Sequence, residues 1–381
     1  MIVTIVADVL GEENNGTTTA CMNLVRYLKS IGDEVRIVCS DQDKKNLAGY
    51  YVVGNYNFGH IGNAIVARNN VALAKPDPEI LNKAILDADI VHCMMPFGLA
   101  RAAMRICKKN NIPVTSGFHV QAENVTCHIG MMNFRFANKE VYKNFWHKYY
   151  FGIDAIHYPT EFIKETFEKA INKKTPAYVI SNGVHDRFVK KNIEKPAELK
   201  GKFVILFSGR LCREKSHHIL IKAIEYSKHK DDIQLIFAGQ GPRKKRLLAL
   251  AKNSGINTPI IKFFKKDELV DVINYCDLYC HPAEIEIEAI SCLEAITCGL
   301  VPVISNSKRS ATRFFALDEK NLFECNNYKE LAEKIDYWID NPDEKKKRSE
   351  EYLGYTKQFN QTRCMERMRE MLVETINKKK C

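Results

Sequence analysis

Three carboxylates stand in a stretch that otherwise reads as buried. HPAEIEIEAISCLEAITCGLVPVIS, His281 to Ser305, carries Glu286, Glu288 and Glu294. Glu286 and Glu294 are separated by seven residues. A helix beginning near Glu288 and stopped by Gly299 would leave Glu286 in the loop at its positive end and Glu294 two turns on. Ile290, Cys292 and Leu293 give that helix its apolar face. A carboxylate buried there without a partner is costly or becomes protonated. The plainer account makes Glu288 a first-turn residue favoured by the dipole and pairs Glu294 with an arginine. A second cluster, FSGRLCREKS (207–216), sets Arg210 and Lys215 five apart after Gly209. Two cations behind a strand end and ahead of a helix make an anion cradle, a fork and a mobile point charge beside unpaired N–H groups. A solvated basic turn is the alternative, since Arg213 and Glu214 sit there too. FAGQGP (237–242) adds Gly239 and Gly241 before another helix, a weak signal that a tight turn also explains.

These clusters need elements to hold them. Continuous apolar runs alternate with helical patterns: 2–9, 34–40, 88–95, 112–119, 154–160 and 177–184, then 203–209, 233–242, 259–264, 278–282 and 300–305. Runs that are apolar throughout mean strands covered on both faces, as in parallel sheets. The pattern predicts an α/β chain of two doubly wound, Rossmann-like domains with the ligand cleft between them. The expected boundaries are a first domain 1–186, a polar linker 187–202, a second domain 203–354 and a final helical segment 355–381 that crosses back to the first domain.

Composition removes several classes. The 381 residues are 45% apolar and 27% charged, an ordinary globular balance. No apolar run reaches the ~20 residues that span a bilayer. The opening MIVTIVADVL reads as a first strand and not a signal peptide, which points to the cytoplasm. Thirteen scattered cysteines form no CxxC pair, so no metal site is expected. DQD (41–43) and DAD (87–89) fall at loops and helix ends and read as surface. A net charge of +11 invites an anionic partner, although DEKKKRSEE (343–351) and the terminal lysines account for part of it.

Together these residues resemble the retaining GT-B glycosyltransferases of glycosyltransferase family 4. The carriers are GRLCREK, EIEAISCLEAITCGLVPV, GQGP, SNGV (181–184) and VHCMMPFGLA (91–100), spread over nearly the whole chain. The resemblance implies that Arg210 and Lys215 hold the diphosphate of a UDP-sugar, beside Gly209 and Gly241. It implies that the N–H groups of Ala289, Ile290 and Ser291 complete the phosphate site, that Glu294 binds the ribose hydroxyls and that Glu286 orients the donor sugar. Gly16 would let a first-domain loop approach the diphosphate, and His119 would stand near the reacting sugar. Glu286, His119, Arg210 and Lys215 are the expected catalytic set. Charge on the leaving diphosphate would be met by the cations and the helix end, so a cofactor or divalent metal is not required. The family pattern has glycine where this chain has Ala289, and commonly glycine at Ser216.

The acceptor side is read from the first domain. Between Pro96 and Tyr150 eight Lys or Arg face two Glu. Aromatics interleave with Arg135, Phe136, Lys139, Lys143, Trp146 and Lys148. That mixture suits an anionic membrane surface, while a helix packing its rings inward is the alternative. Nucleic acid fits less well, with no recognition motif beside the charge. Within the family the likeness is strongest to bacterial enzymes that glucosylate diacylglycerol, implying a peripheral protein at the inner membrane face. A family 4 enzyme with a soluble saccharide acceptor, a non-catalytic binding module and a nucleotide-sugar epimerase remain alternatives.

Overall fold

The protein was analysed as a computed structural model, which describes all residues except Val9, 11–15, Phe58, 60–72, 128–129 and Cys381. Two compact units emerge, one of Met1–Asn182 with Thr362–Cys381, the other Gly183–Gln361.

The first unit holds strands β1 (Ile2–Val6), β2 (Glu34–Cys39), β3 (Tyr50–Val52), β4 (Ile90–Cys93), β5 (Val114–Gly117), β6 (Ala155–Tyr158) and β7 (Ala177–Val179). Their order is β3-β2-β1-β4-β5-β6-β7, and every pairing is parallel. The second unit holds β8 (Phe203–Ser208), β9 (Ile233–Ala238), β10 (Ile260–Lys262), β11 (Leu278–His281), β12 (Pro302–Ser305) and β13 (Leu322–Phe323) in the order β10-β9-β8-β11-β12-β13. These pairings are parallel too. Both sheets are therefore doubly wound, as the continuous apolar runs require. The order reverses between β1 and β4 and between β8 and β11, and such switch points are where these sheets bind ligands. The edge strands β3 and β13 were not anticipated, because three and two residues are too few to show a pattern.

The stretch read as a linker, 187–202, belongs to the second unit. Phe188 and Leu199 are buried in its core, and Lys195 pairs with Asp277 at 2.5 Å. Its apolar residues lie too far apart to show a face in the sequence. The expected final segment, 355–381, follows the helix Pro342–Tyr355 of the second unit with a 3₁₀ turn at Thr356–Phe359 and the helix Gln361–Lys380. Met365, Met368, Met371, Leu372 and Ile376 of the last helix pack in the core of the first unit with Val3, Ile5 and Leu24. The Asp-x-Asp carboxylates have structural partners: Asp41 accepts from Leu10 N–H at 2.8 Å, Asp87 pairs with Arg36, and Asp89 accepts from Ile2 N–H at 2.7 Å.

Candidate donor site

In the second unit the loops that follow β8 and β11, neighbours at the switch point, carry the candidate residues. The β8 loop is clamped by the β9 loop: Gly209 N–H donates to Ala238 C=O at 3.0 Å and Leu211 N–H to Gln240 C=O at 3.0 Å. This approach explains the glycines of the second loop. A Cβ on Gly241 would stand 2.7 Å from Leu211 O, and one on Gly239 would overlap the Gly209 carbonyl. Gly241 thus fixes the loop bearing Arg210. Arg210 itself is exposed, and its guanidinium has no hydrogen-bond or ion-pair partner among the described residues.

Lys215 turns to the β11 side, where its ammonium pairs with Glu286 Oε1. The same oxygen lies 3.2 Å from His281 Nε2, and Tyr279 Oη is 3.1 Å from His281 Nδ1. Tyr279 Oη is also 3.3 Å from Ser291 Oγ. Burial alone would raise the Glu286 carboxyl, but Lys215 and His281 prevail and hold it down at about 2. Burial likewise opposes the charge on Lys215, and Glu286 overcomes it, so that the lysine is raised. His281 is lowered, chiefly by burial, and is a neutral imidazole. An ionised carboxylate only accepts, so Nε2 carries the proton and Nδ1 accepts from the tyrosine.

The helix holding the second carboxylate spans Ile290–Thr297, two residues later than expected, with Gly299 beyond it at φ +87°. Its N-cap is Ala289 at φ 63°, ψ 64°. Ser216, the N-cap of helix His217–Tyr226, is also left-handed at φ 51°. Both departures from the family's glycines thus fall where the backbone favours glycine. The N–H groups of Ile290 and Ser291 open the helix and have no intrahelical acceptor, which leaves a positive end ready for an anion. One turn on, Glu294 makes no side-chain hydrogen bond or ion pair among the described residues. Burial raises its carboxyl to about 7, with Lys266 and Arg187 pulling weakly the other way. The arginine pairing open in the sequence is not made. Glu288 is buried at 4% exposure.

Sequence reasoning passed over Tyr279 and His281. The signal was available: alternate residues of a strand share a face, so Tyr-x-His at a strand end puts a hydroxyl and an imidazole together.

In the first unit Gly16 opens the helix Gly16–Ser30 and is exposed, and the preceding loop, 11–15, lies outside the described residues. The His119 ring folds back over Gly117 and meets His157 edge-on at 5.5 Å between centroids. Its Nε2 is buried without a hydrogen bond, and burial holds the ring deprotonated. Asp8, beyond β1, is buried, and its carboxyl is raised to about 7 by that burial. In helix Arg135–Lys148, Trp146 does not face outward with the basic residues. It is 8% exposed and packs on Phe151 and Phe167, following Tyr142 inward one turn before. The exposed rings are Phe134, Phe136 and Phe151, at 60%, 77% and 69%. Arg135, Lys139 and Lys148 are exposed, while Lys143 is partly covered and pairs with Glu140. Among the described residues no three His, Cys, Asp or Glu are grouped to hold a metal ion, and no helix is long and apolar enough to cross a membrane.

Comparison with known proteins places this geometry. The model for Glycosyltransferase Family 4 matches residues 14–188, and that for Glycosyl transferases group 1 matches 188–353. The alpha-monoglucosyldiacylglycerol synthase of Acholeplasma laidlawii is 23% identical over 86% of both chains. The solved catalytic domain of cholesterol-alpha-glucosyltransferase from Helicobacter pylori is 46% identical over 40% of this chain and 96% of its own, with a TM-score of 0.40. Anabaena Alr3699/HepE, solved with UDP and glucose, is 16% identical and superposes over 98% of this chain and 100% of its own at a TM-score of 0.76.

Proposed function

This chain belongs to the family 4 glycosyltransferases, with two Rossmann-like sheets of the GT-B type, and from that premise we propose that it moves glucose from UDP-glucose to a lipid alcohol, diacylglycerol, with retention of configuration. Glu294 is the observation that carries the donor reading. Glu294 is half-buried, and a carboxylate partly withdrawn from water without a partner is destabilising unless a ligand supplies donors. Ribose hydroxyls are such donors. Glu294 stands about 6 Å of helical rise beyond Ile290, and a nucleotide keeps its ribose next to its phosphates. The diphosphate then meets the first-turn N–H groups, Arg210 and Lys215, while Glu286 turns to the sugar.

The catalytic work is electrostatic. Negative charge grows on the departing UDP, and preset cations and N–H dipoles stabilise it there without reorganising. Same-face departure and attack accounts for retention, with no separate protein nucleophile assigned. In the first unit His119 is proposed near the reacting sugar and Gly16 near the diphosphate. The lipid acceptor is supported by the diacylglycerol-glucosylating relatives, by the exposed Phe136 and basic side chains of helix Arg135–Lys148, and by the exposed Phe134 and Phe151 that flank it. Rings and cations on one face suit an anionic membrane surface, and we place the enzyme peripherally on the inner face of the cell membrane.

The test is transfer of labelled glucose from UDP-glucose with anionic vesicles that contain diacylglycerol, a sterol or neither. Label in the lipid extract only with diacylglycerol supports the full reading. Label only with sterol keeps donor and membrane and replaces the acceptor. UDP release without lipid labelling points to a soluble acceptor. Arg210→Ala and Lys215→Ala should each lower turnover by about two orders of magnitude or more, and near-normal rates in both would sink the diphosphate assignment.

A further inference from the structure

We propose that Tyr279 and His281 are positioning residues that hold Glu286 in place when the donor diphosphate draws Lys215 away from it. The inference rests on the donor-site reading above. Glu286 Oε1 has two partners, the Lys215 ammonium and His281 Nε2. The first is assigned to the diphosphate, whose charged oxygens compete with the carboxylate for its three N–H donors. The second stays. His281 is 0% exposed and stacks on Tyr279 with its ring against Phe207, at centroid distances of 5.8 and 5.4 Å. Its proton sits on Nε2, facing the carboxylate, so Nδ1 at 3.1 Å from the Tyr279 hydroxyl accepts from it. Ser291 Oγ lies 3.3 Å behind that hydroxyl. Donation therefore runs one way, from Ser291 to Tyr279 to His281 to Glu286. Ser291 also supplies one of the first-turn N–H groups assigned to the diphosphate. The relay thus joins the phosphate end of the site to its sugar end through two buried side chains of one strand and a half-buried serine of one helix.

Two measurements test this. Nitrogen-15 NMR of labelled histidine should show His281 as the Nε2–H tautomer. The Nδ1–H form would overturn the relay whether or not the enzyme turns over. Kinetics then separate positioning from plain packing. His281→Leu should lower kcat by about 10–100-fold, with the Kd for UDP unchanged within about twofold, because the donor-site reading assigns Glu286 to the sugar and not to UDP. Tyr279→Phe should lower kcat by a smaller factor in the same pattern. His281→Gln, whose amide nitrogen can replace Nε2, should recover most of the rate. Wild-type turnover in His281→Leu, or loss of UDP affinity in step with kcat, would overturn the relay alone. Failure of the wild-type protein to bind UDP would instead overturn the donor site and the relay's role with it.

Discussion

Glu286 and Glu294 carry the same group a few residues apart, and their surroundings drive them in opposite directions, one to about 2 and the other to about 7. Such divergence is how a site assigns different work to identical side chains. It also fixes opposite stability signs. Glu294 is raised above its ordinary 4.5, so between about 4.5 and 7 the folded protein holds a proton that the unfolded chain has released. Its contribution to stability falls as pH rises through that window. Glu286 is depressed, so its contribution is present above 4.5 and is lost only as pH falls towards 2. Replacing Glu294 by Gln should therefore raise the melting temperature at pH 8, by about 2–4 °C per kcal/mol recovered, and leave it unmoved at pH 4. Replacing Glu286 by Gln should lower it at pH 8, because the half-buried Lys215 loses its charged partner. Calorimetry of both variants at the two pH values checks the pair, and shifts of the same sign at pH 8 would refute the assignment. The cost of Glu294→Gln should appear as weaker UDP binding.

The two helices that frame the proposed donor site begin on strained residues. Ser216 and Ala289 hold φ at 51° and 63° directly before helices His217–Tyr226 and Ile290–Thr297. A left-handed residue with a side chain costs about 1–2 kcal/mol, and glycine gives back part of that gain through unfolded-chain entropy, about 0.5–1 kcal/mol. Ser216→Gly and Ala289→Gly should thus each stabilise by up to about 1 kcal/mol, read as a raised denaturation midpoint at unchanged slope. A fall in either midpoint would mean the left-handed geometry is absent. The strands that position the site were legible, because strands buried on both faces are apolar throughout. So were Arg210, Lys215, Glu286 and Glu294, whose charge stands out against that background. Ser216 and Ala289 were visible as departures from glycine, but backbone strain leaves no mark in side-chain type. The inward turn of Trp146 was illegible for another reason. The helix Arg135–Lys148 is basic on one side and aromatic on both, so composition could not say which rings face water.

At the scale of the molecule the matched family regions end at residue 353, yet the first unit is unfinished without the last helix of the chain. Six apolar side chains of that helix, Cys364, Met365, Met368, Met371, Leu372 and Ile376, are buried in one core cluster with residues of the first forty and with Ile90, Met94, Ala155 and Ile180. Ion pairs fasten the helix at its middle and its C-terminal end: Arg369 to Asp33 at 3.0 Å and Lys379 to Asp154 at 2.8 Å. Asp33 also accepts from the chain's own N-terminal ammonium at 2.8 Å. Burying an apolar side chain of this size contributes about 1.5–3 kcal/mol, so the helix supplies an amount comparable with the whole stability of a typical domain, about 5–15 kcal/mol. The second unit takes none of its core from this helix. Ending the chain at Gln361 should therefore unfold the first unit selectively. The expected signature is loss of one calorimetric transition and rapid proteolysis within residues 1–182, with UDP still bound by the second unit at near its original affinity. Glucose transfer should be abolished, because the acceptor-side residues lie in the unit that is lost. A truncated protein whose first unit melts where it did before would show the helix to be dispensable. Loss of UDP binding together with the first unit would show that the donor site depends on more than the loops of β8 and β11.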